Sequence, residues 1–236
     1  MRLSVNIDHF ATLREARKSK VPEPVLAALL AEQAGASGIV CHIRGDRRHI
    51  RERDLRLLRQ SIKTKLNIEM AATEEMKKIA LDIIPDTVSL VPEEEHEITT
   101  QGGLDVIKNK ERMAPHIRSL QQKRIKVSIF VDPSEEQIKT CAELNVDLIE
   151  INTGRYADLE AGAERNKAEK EIANAAKTAH KLGLEVHAGH GLDYWNIRPI
   201  AAIQEIKEFS IGFAIIARSS IVGIEKAVKD MLHLLE

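Results

Sequence analysis

Aromatic side chains are scarce: one Trp, two Tyr and four Phe make up 3% of the 236 residues. Single-stranded nucleic acid is usually held by aromatic platforms beside basic groups, so that class of partner is disfavoured. There is also no excess of one charge. The 35 basic and 36 acidic residues leave a net charge of -1, so no global field draws the chain to nucleic acid or to an anionic membrane. Any anion recognition must be local. Two cysteines, Cys41 in an apolar run and Cys141 in a helix-like segment, make no disulfide framework, and reduced thiols in a cytoplasmic protein are the simpler account. Neither has the setting of a nucleophile. No run of about 18 apolar residues occurs, and Asp8 and His9 interrupt the amino-terminal stretch before it reaches signal-peptide length. A soluble, cytoplasmic protein with no membrane partner is expected. Linker-like and low-complexity tracts are missing too, so one domain over 1–236 is expected.

Eight short β-like runs are present: Leu3–Asp8, Gly38–Ile43, Leu66–Met70, Thr87–Pro92, Lys126–Asp132, Leu148–Thr153, Glu185–Gly189 and Glu208–Phe213. Helix-period segments separate them and one follows the last, at 24–36, 51–63, 73–84, 104–123, 134–145, 164–182, 195–203 and 221–235. Strict βα alternation of this kind builds a parallel sheet, and eight repeats point to an α/β fold closed as a (β/α)8 TIM barrel. An open doubly wound sheet is the alternative, but no G-x-G-x-x-G follows the first run. Ser134 followed by Gln137 has the pattern of a capping box, and Gly35 and Gly183 stand where helices commonly end. The acidic run Glu93-Glu94-Glu95 reads as a solvated loop.

Strand parity assigns side chains to faces, because alternate residues point to opposite sides of a sheet. Ile149 and Ile151 oppose Glu150 and Asn152; Val5 and Ile7 oppose Asn6 and Asp8; Ile68 and Met70 oppose Asn67 and Glu69; Ile39 and Cys41 oppose Val40 and His42. The apolar parity suits the helical layer and the polar parity the barrel interior or mouth. Unpaired buried carboxylates and imidazoles cost several kcal/mol each, so a repeated set is more than packing.

Collecting the carboxyl ends of the strands gives Asn6, Asp8, His9, His42, Arg44, Glu69, Glu150, His187 and His190, with Arg17, His49 and Thr99 or Thr100 on loops. The densest stretch is His42-Ile43-Arg44-Gly45-Asp46-Arg47-Arg48-His49-Ile50, which follows the apolar run 38–41 without a gap. Guanidinium groups grip phosphate or carboxylate bidentately, and imidazoles exchange protons near neutral pH. A solvated basic loop is the plain alternative for that stretch taken alone. Gly191 and Gly212 end the last two strands, where barrels often bind phosphate through backbone N–H groups. Lys65 and Lys126 precede or open strands, at the wrong end for a Schiff base.

These residues carry a resemblance. Asn6-Ile7-Asp8-His9, His42-Ile43-Arg44, Asn67-Ile68-Glu69-Met70, Leu90-Val91-Pro92-Glu93, Gly102-Gly103-Leu104-Asp105-Val106, Tyr156-Ala157-Asp158 and Ala188-Gly189-His190-Gly191 occur in the order found in the pyridoxine 5'-phosphate synthase family, and the likeness spans nearly the whole chain. The resemblance implies condensation of 1-deoxy-D-xylulose 5-phosphate with 3-amino-2-oxopropyl phosphate to pyridoxine 5'-phosphate, inorganic phosphate and water. It implies His42 and Glu69 as bases, His190 as proton donor and Glu150 as transition-state stabiliser. It further implies that Asn6, Arg17, Gly191, Gly212 and Phe213 bind the aminoketone phosphate, and that Asp8, His9, Arg44, His49 and Thr99 bind the deoxyxylulose phosphate. No cofactor or metal is implied, and the assembly would be a homo-octamer built from dimers.

Three positions depart from the family pattern: Gly45 where Glu is usual, Asn152 where His is common, and Phe213 where Gly is usually followed by His. They bear on the charge balance near Arg44, on a proton relay, and on any side-chain role at a phosphate. Strand parity expects the Phe213 ring to pack towards the helices, away from ligand, leaving phosphate to the backbone. Two other readings stay open: a metal-dependent sugar-phosphate epimerase using the His and carboxylate groups, and a non-catalytic binder of phosphorylated metabolites.

Overall fold

Strands and helices alternate along the computed structural model, which describes residues 1–93 and 102–236. In chain order they are β1 (Arg2–Asn6), α1 (Asp8–Ala16), α2 (Pro24–Gln33), β2 (Gly38–His42), α3 (Glu52–Ser61), β3 (Lys65–Met70), α4 (Glu74–Ile83) and β4 (Thr87–Leu90). After the undescribed residues come α5 (Val106–Gln122), β5 (Lys126–Val131), α6 (Glu135–Glu143), β6 (Leu148–Asn152), α7 (Gly154–Asp158) and α8 (Ala163–Lys181). The chain then runs through β7 (Glu185–Gly189), α9 (Ile197–Ala201), β8 (Ile206–Ile211), α10 (Phe213–Val222) and α11 (Ile224–Leu235). Each strand pairs in parallel with the next and β8 pairs with β1, so the sheet closes into the expected (β/α)8 barrel.

Parity works as the alternation predicts. Val5, Ile39, Ile68, Ile149 and Ile151 are fully buried in the apolar core that the helices cover. Removing a side chain of that size from water contributes about 1.5–3 kcal/mol. The opposite parity meets across the interior: Ser4 Oγ donates to Glu208 Oε1, Asn67 Nδ2 donates to Ser89 Oγ, and Asn6 Nδ2 lies 3.4 Å from Glu69 Oε2. Lys65 and Lys126 each open a strand, opposite the carboxyl ends.

Several local expectations need correction. The first run stops at Asn6, and Asp8 and His9 belong to α1, a helix the periodicity does not reveal. Asp8 occupies the first helical turn, where a carboxylate is favoured by the exposed N–H groups. The eighth strand runs Ile206–Ile211; Gly212 interrupts it and Phe213 opens α10, also not foreseen. Ser134 makes no side-chain cap on α6. Gln137 instead reaches to α5, where its Oε1 accepts from the N–H groups of Val106 (2.7 Å) and Ile107 (3.2 Å). That satisfies donors a helix start otherwise leaves open. Gly35 and Gly183 do adopt positive φ just past α2 and α8, as helix-ending glycines should.

Candidate functional site

The carboxyl ends of β1, β2 and β3 bring four predicted residues together. Asn6 Oδ1 accepts the Asp8 N–H at 2.9 Å, which turns the start of α1 over the barrel mouth. Asp8 Oδ1 in turn accepts the His42 N–H at 2.8 Å, so the helix start is bonded to the end of β2. His42 and Glu69 are register partners on β2 and β3. Burial, then the charges of Glu150 and Asp8, pushes the Glu69 carboxyl well above the ordinary carboxylate value. Ligand-capable atoms of Asp8, His42 and Glu69 all lie within 4.8 Å of one another, close enough to share a divalent ion.

Glu150 approaches from β6. It is buried in the barrel, and burial with the charge of Glu208 pushes its pKa up to about 8. Two interacting carboxyls titrate as a pair, and together they can keep a proton near neutral pH. Gly189 on β7 makes the space: a Cβ there would stand 2.2 Å from Glu150 Oε1 and 2.9 Å from the Ser210 carbonyl.

Past Gly189 the chain turns through His190 and Gly191, both with positive φ. Thr153 ties this turn down, its hydroxyl lying 2.7 Å from the Gly189 carbonyl and 2.6 Å from that of His190. The His190 ring is half-buried against Phe130, with centroids 6.2 Å apart. Desolvation lowers its pKa and the charge of Asp158 opposes that. Gly154 leaves room for the ring, since a Cβ there would come within 2.7 Å of His190 Cδ2. Asn152 donates to Asp132 Oδ1 (2.8 Å) and accepts from the Gly154 N–H (2.9 Å), so here it braces the loop.

The arginine-rich stretch is built rather than loose. Arg44 is buried. Arg47 pairs with Glu52 and Glu75, and Arg48 with Asp46, holding the turn around Gly45. Arg14 grips Asp54 with two bonds of 2.8 Å and also donates to the His49 carbonyl at 3.0 Å. The His49 ring stands edge-on to His42 at 6.1 Å, and its Nδ1 accepts the Ile50 N–H. Desolvation lowers its pKa, a shift that Asp8 opposes and the nearby cations reinforce.

Gly212 packs against Asn6, where a Cβ would meet Asn6 Cβ at 3.2 Å. Its neighbour contradicts the parity argument. Phe213 is 68% exposed and its ring lies 5.3 Å from that of His9, at the mouth rather than under the helices. The reason is the strand break at Gly212, which ends the two-residue alternation. Phe213 begins α10, so its N–H is one of the open donors of a helix start. Desolvation lowers the His9 pKa against the pull of Asp8.

Two predicted positions stand away from the cluster of Asp8, His42 and Glu69. Arg17 follows the last residue of α1, exposed and, at the rise of a helix, about 13 Å from Asp8. His187 points to the other end of the barrel, 3.0 Å from Glu185 and 3.9 Å from Glu208, carboxylates that also pair with Arg2. Thr99 and Thr100 lie outside the described residues. Glu93 is the residue the sequence reading missed. Far from being solvated, its Oε1 is 2.9 Å from His42 Nε2 and its Oε2 accepts the Gly45 N–H at 3.1 Å. Burial works to raise its pKa, but the bonds from His42 and Gly45 outweigh it and hold the carboxylate below its ordinary value. Both cysteines are buried, which pushes the Cys41 thiol well up and that of Cys141 up to about 12. Burial keeps both thiols from the exposed, activating setting of a nucleophile.

With this geometry in view, residues 3–236 match the family model described as pyridoxal phosphate biosynthesis protein PdxJ. The chain is 53% identical over 232 residues to the pyridoxine 5'-phosphate synthase of Syntrophotalea carbinolica, covering 98% of this chain and 97% of that protein. It is 52% identical over 235 residues to the protein of the same name from Chlorobium luteolum, covering 100% of both. Among solved structures, phosphoribosyl anthranilate isomerase from Thermus thermophilus superposes with a TM-score of 0.63 at 14% identity, over 100% of this chain and 98% of that one. The tryptophan synthase A-subunit from Pyrococcus furiosus gives 0.64 at 11% identity, over 99% and 97%. Those two likenesses speak for the barrel alone.

Proposed function

Because the chain belongs to the pyridoxal phosphate biosynthesis protein PdxJ family, we propose that it is a pyridoxine 5'-phosphate synthase. It condenses 1-deoxy-D-xylulose 5-phosphate with 3-amino-2-oxopropyl phosphate, releasing pyridoxine 5'-phosphate, inorganic phosphate and water. The observation that carries this reading is the full-length likeness to proteins of that name, in a chain whose barrel mouth joins Asp8, His42 and Glu69 within 4.8 Å.

Ring closure passes through imine formation, proton transfers and loss of water and phosphate, so it needs several proton carriers in one pocket. His42 and Glu69 serve as bases. Burial and the charges of Glu150 and Asp8 raise the pKa of Glu69, which makes its carboxylate a stronger base than an ordinary one. Glu150, also shifted up, keeps a proton to hydrogen-bond developing negative charge. His190, whose desolvation makes its imidazolium a stronger acid, gives its proton to the leaving oxygen. The deoxyxylulose phosphate is held by Asp8, His9, Arg44, His49 and Thr99. The aminoketone phosphate meets Asn6, Arg17, Gly191 and the backbone N–H groups of Gly212 and Phe213 at the start of α10.

Assembly as a homo-octamer built from dimers belongs to the same proposal, and exposed Leu13, Leu26 and Leu29 on α1 and α2 support self-association. Light scattering of the purified protein tests it. Cytoplasmic residence is proposed as well, supported by two buried, unpaired cysteines; among the described residues no helix is long and apolar enough to cross a membrane.

The test of function is to incubate the protein with both phosphates and follow pyridoxine 5'-phosphate by its absorbance. Product formed at equal rate after chelation favours the synthase. The proximity of Asp8, His42 and Glu69 favours a metal-dependent epimerase as second reading, and epimerised sugar phosphate formed only with added metal would establish that instead.

A further inference from the structure

Glu93 follows β4 by three residues, after Val91 has extended the ladder by donating to the Met70 carbonyl at 3.1 Å. Its side chain turns back across the mouth. One oxygen sits 2.9 Å from His42 Nε2 and the other takes the Gly45 N–H at 3.1 Å. The side chains of both partners are largely covered, 7% exposed for His42 and 15% for Glu93, so water competes weakly for the bond. An ionised carboxylate can only accept, so Nε2 must carry a hydrogen, and Nδ1 is left as the ring nitrogen able to take a proton. The second bond matters as much as the first. With Oε2 fixed on the Gly45 backbone, the carboxylate cannot swing, and the imidazole is held between the end of β2 and the end of β4.

We propose that Glu93 is a positioning residue for His42, fixing the tautomer and orientation of the imidazole so that Nδ1 is the nitrogen that exchanges protons with substrate. This rests on the synthase reading for its kinetic consequence and on geometry alone for the tautomer. Such a carboxylate–imidazole pair orients the ring and favours the imidazolium once it forms, while the carboxylate itself keeps its charge. Glu93 touches no reacting atom in this scheme.

The experiment combines kinetics with nitrogen NMR on wild type, Glu93→Gln and Glu93→Ala. In wild type the His42 ring should show a protonated Nε2 and an unprotonated Nδ1, and in Glu93→Ala a mixture of tautomers. Turnover in Glu93→Ala should fall on the order of 10- to 100-fold with KM for both substrates within about threefold, the pattern of a group acting on chemistry rather than binding. Glu93→Gln keeps one acceptor oxygen for Nε2 but must present its amide to Gly45, so it should lie between the two. Melting curves of both variants check that the fold is intact, and Glu93→Gln carries the test if Glu93→Ala does not fold. An unchanged tautomer, unchanged turnover, or a rise in KM without loss of turnover would each overturn the proposal. If wild type makes no pyridoxine 5'-phosphate the synthase reading fails, and the tautomer comparison still decides the role of Glu93.

Discussion

The Cβ that Gly189 lacks would stand 2.2 Å from Oε1 of Glu150, well inside contact distance. A glycine on β7 is therefore what lets a carboxylate from β6 lie in the barrel interior. Gly189→Ala should push Glu150 aside, lowering turnover about 10²-fold and destabilising the fold by about 1–3 kcal/mol, as overpacking does. Steady-state rates and thermal melting measure both. A variant matching wild type in each would mean that Glu150 has another place to go.

Glu69 and His190 should matter to chemistry and not to folding. Glu69→Gln and His190→Asn should each reduce turnover by about 10²-fold or more, the usual scale for acid–base groups, with circular dichroism and melting temperature preserved. Near-normal turnover in either variant would remove that residue from the mechanism.

The pH dependence of stability follows from Glu150. Its folded pKa is raised to about 8, so between the unfolded value and about 8 the folded protein keeps a proton the unfolded chain has lost. Stability from this group is fully present at low pH and drains away as pH rises through that window. Glu150→Gln has no charge to bury. Its melting temperature should gain on wild type by several degrees from about pH 5 to about pH 8 and hold steady above. A constant difference across that range would contradict the shift.

At the start of α10 the backbone should carry the phosphate. Phe213→His should change the KM for the aminoketone by less than tenfold, under about 1.4 kcal/mol, because either residue donates the same main-chain N–H. Gly212→Val should raise it far more, since even a Cβ meets Asn6 at 3.2 Å. The reverse ranking would move phosphate recognition to the side chain at 213.

Much of the barrel was legible because period two and period 3.6 are local signals. Ile149 and Glu150 fall on the faces their parity assigns, and Asn6, His42 and Glu69 meet as strand-end residues should. What was not legible depends on chain reversal and distance. Glu93 stands in a run of three glutamates that looks solvated, and its partner His42 is 51 residues away. Gln137 looked like a cap for its own helix and serves α5, whose start is 31 residues earlier. Phe213 escapes the parity rule because the strand has already ended at Ile211, and the two-residue alternation does not pass Gly212. His187 has the interior parity expected of it, but alternation says nothing about height along the barrel axis.

The web that joins Arg14 to Asp54 and His49, Arg47 to Glu52 and Glu75, and Arg48 to Asp46 makes the wall beside His42 a finished surface. The entropy lost in ordering residues 44–50 is then lost at folding, once, and an arriving sugar phosphate does not have to supply it again. Binding against this wall should accordingly lack the large negative heat-capacity change and opposing entropy of a segment that folds around its ligand. Affinity there is governed by charge and shape already in place, and so is sensitive to substitutions that break the Arg14, Arg47 or Arg48 pairs, several residues removed from the substrate.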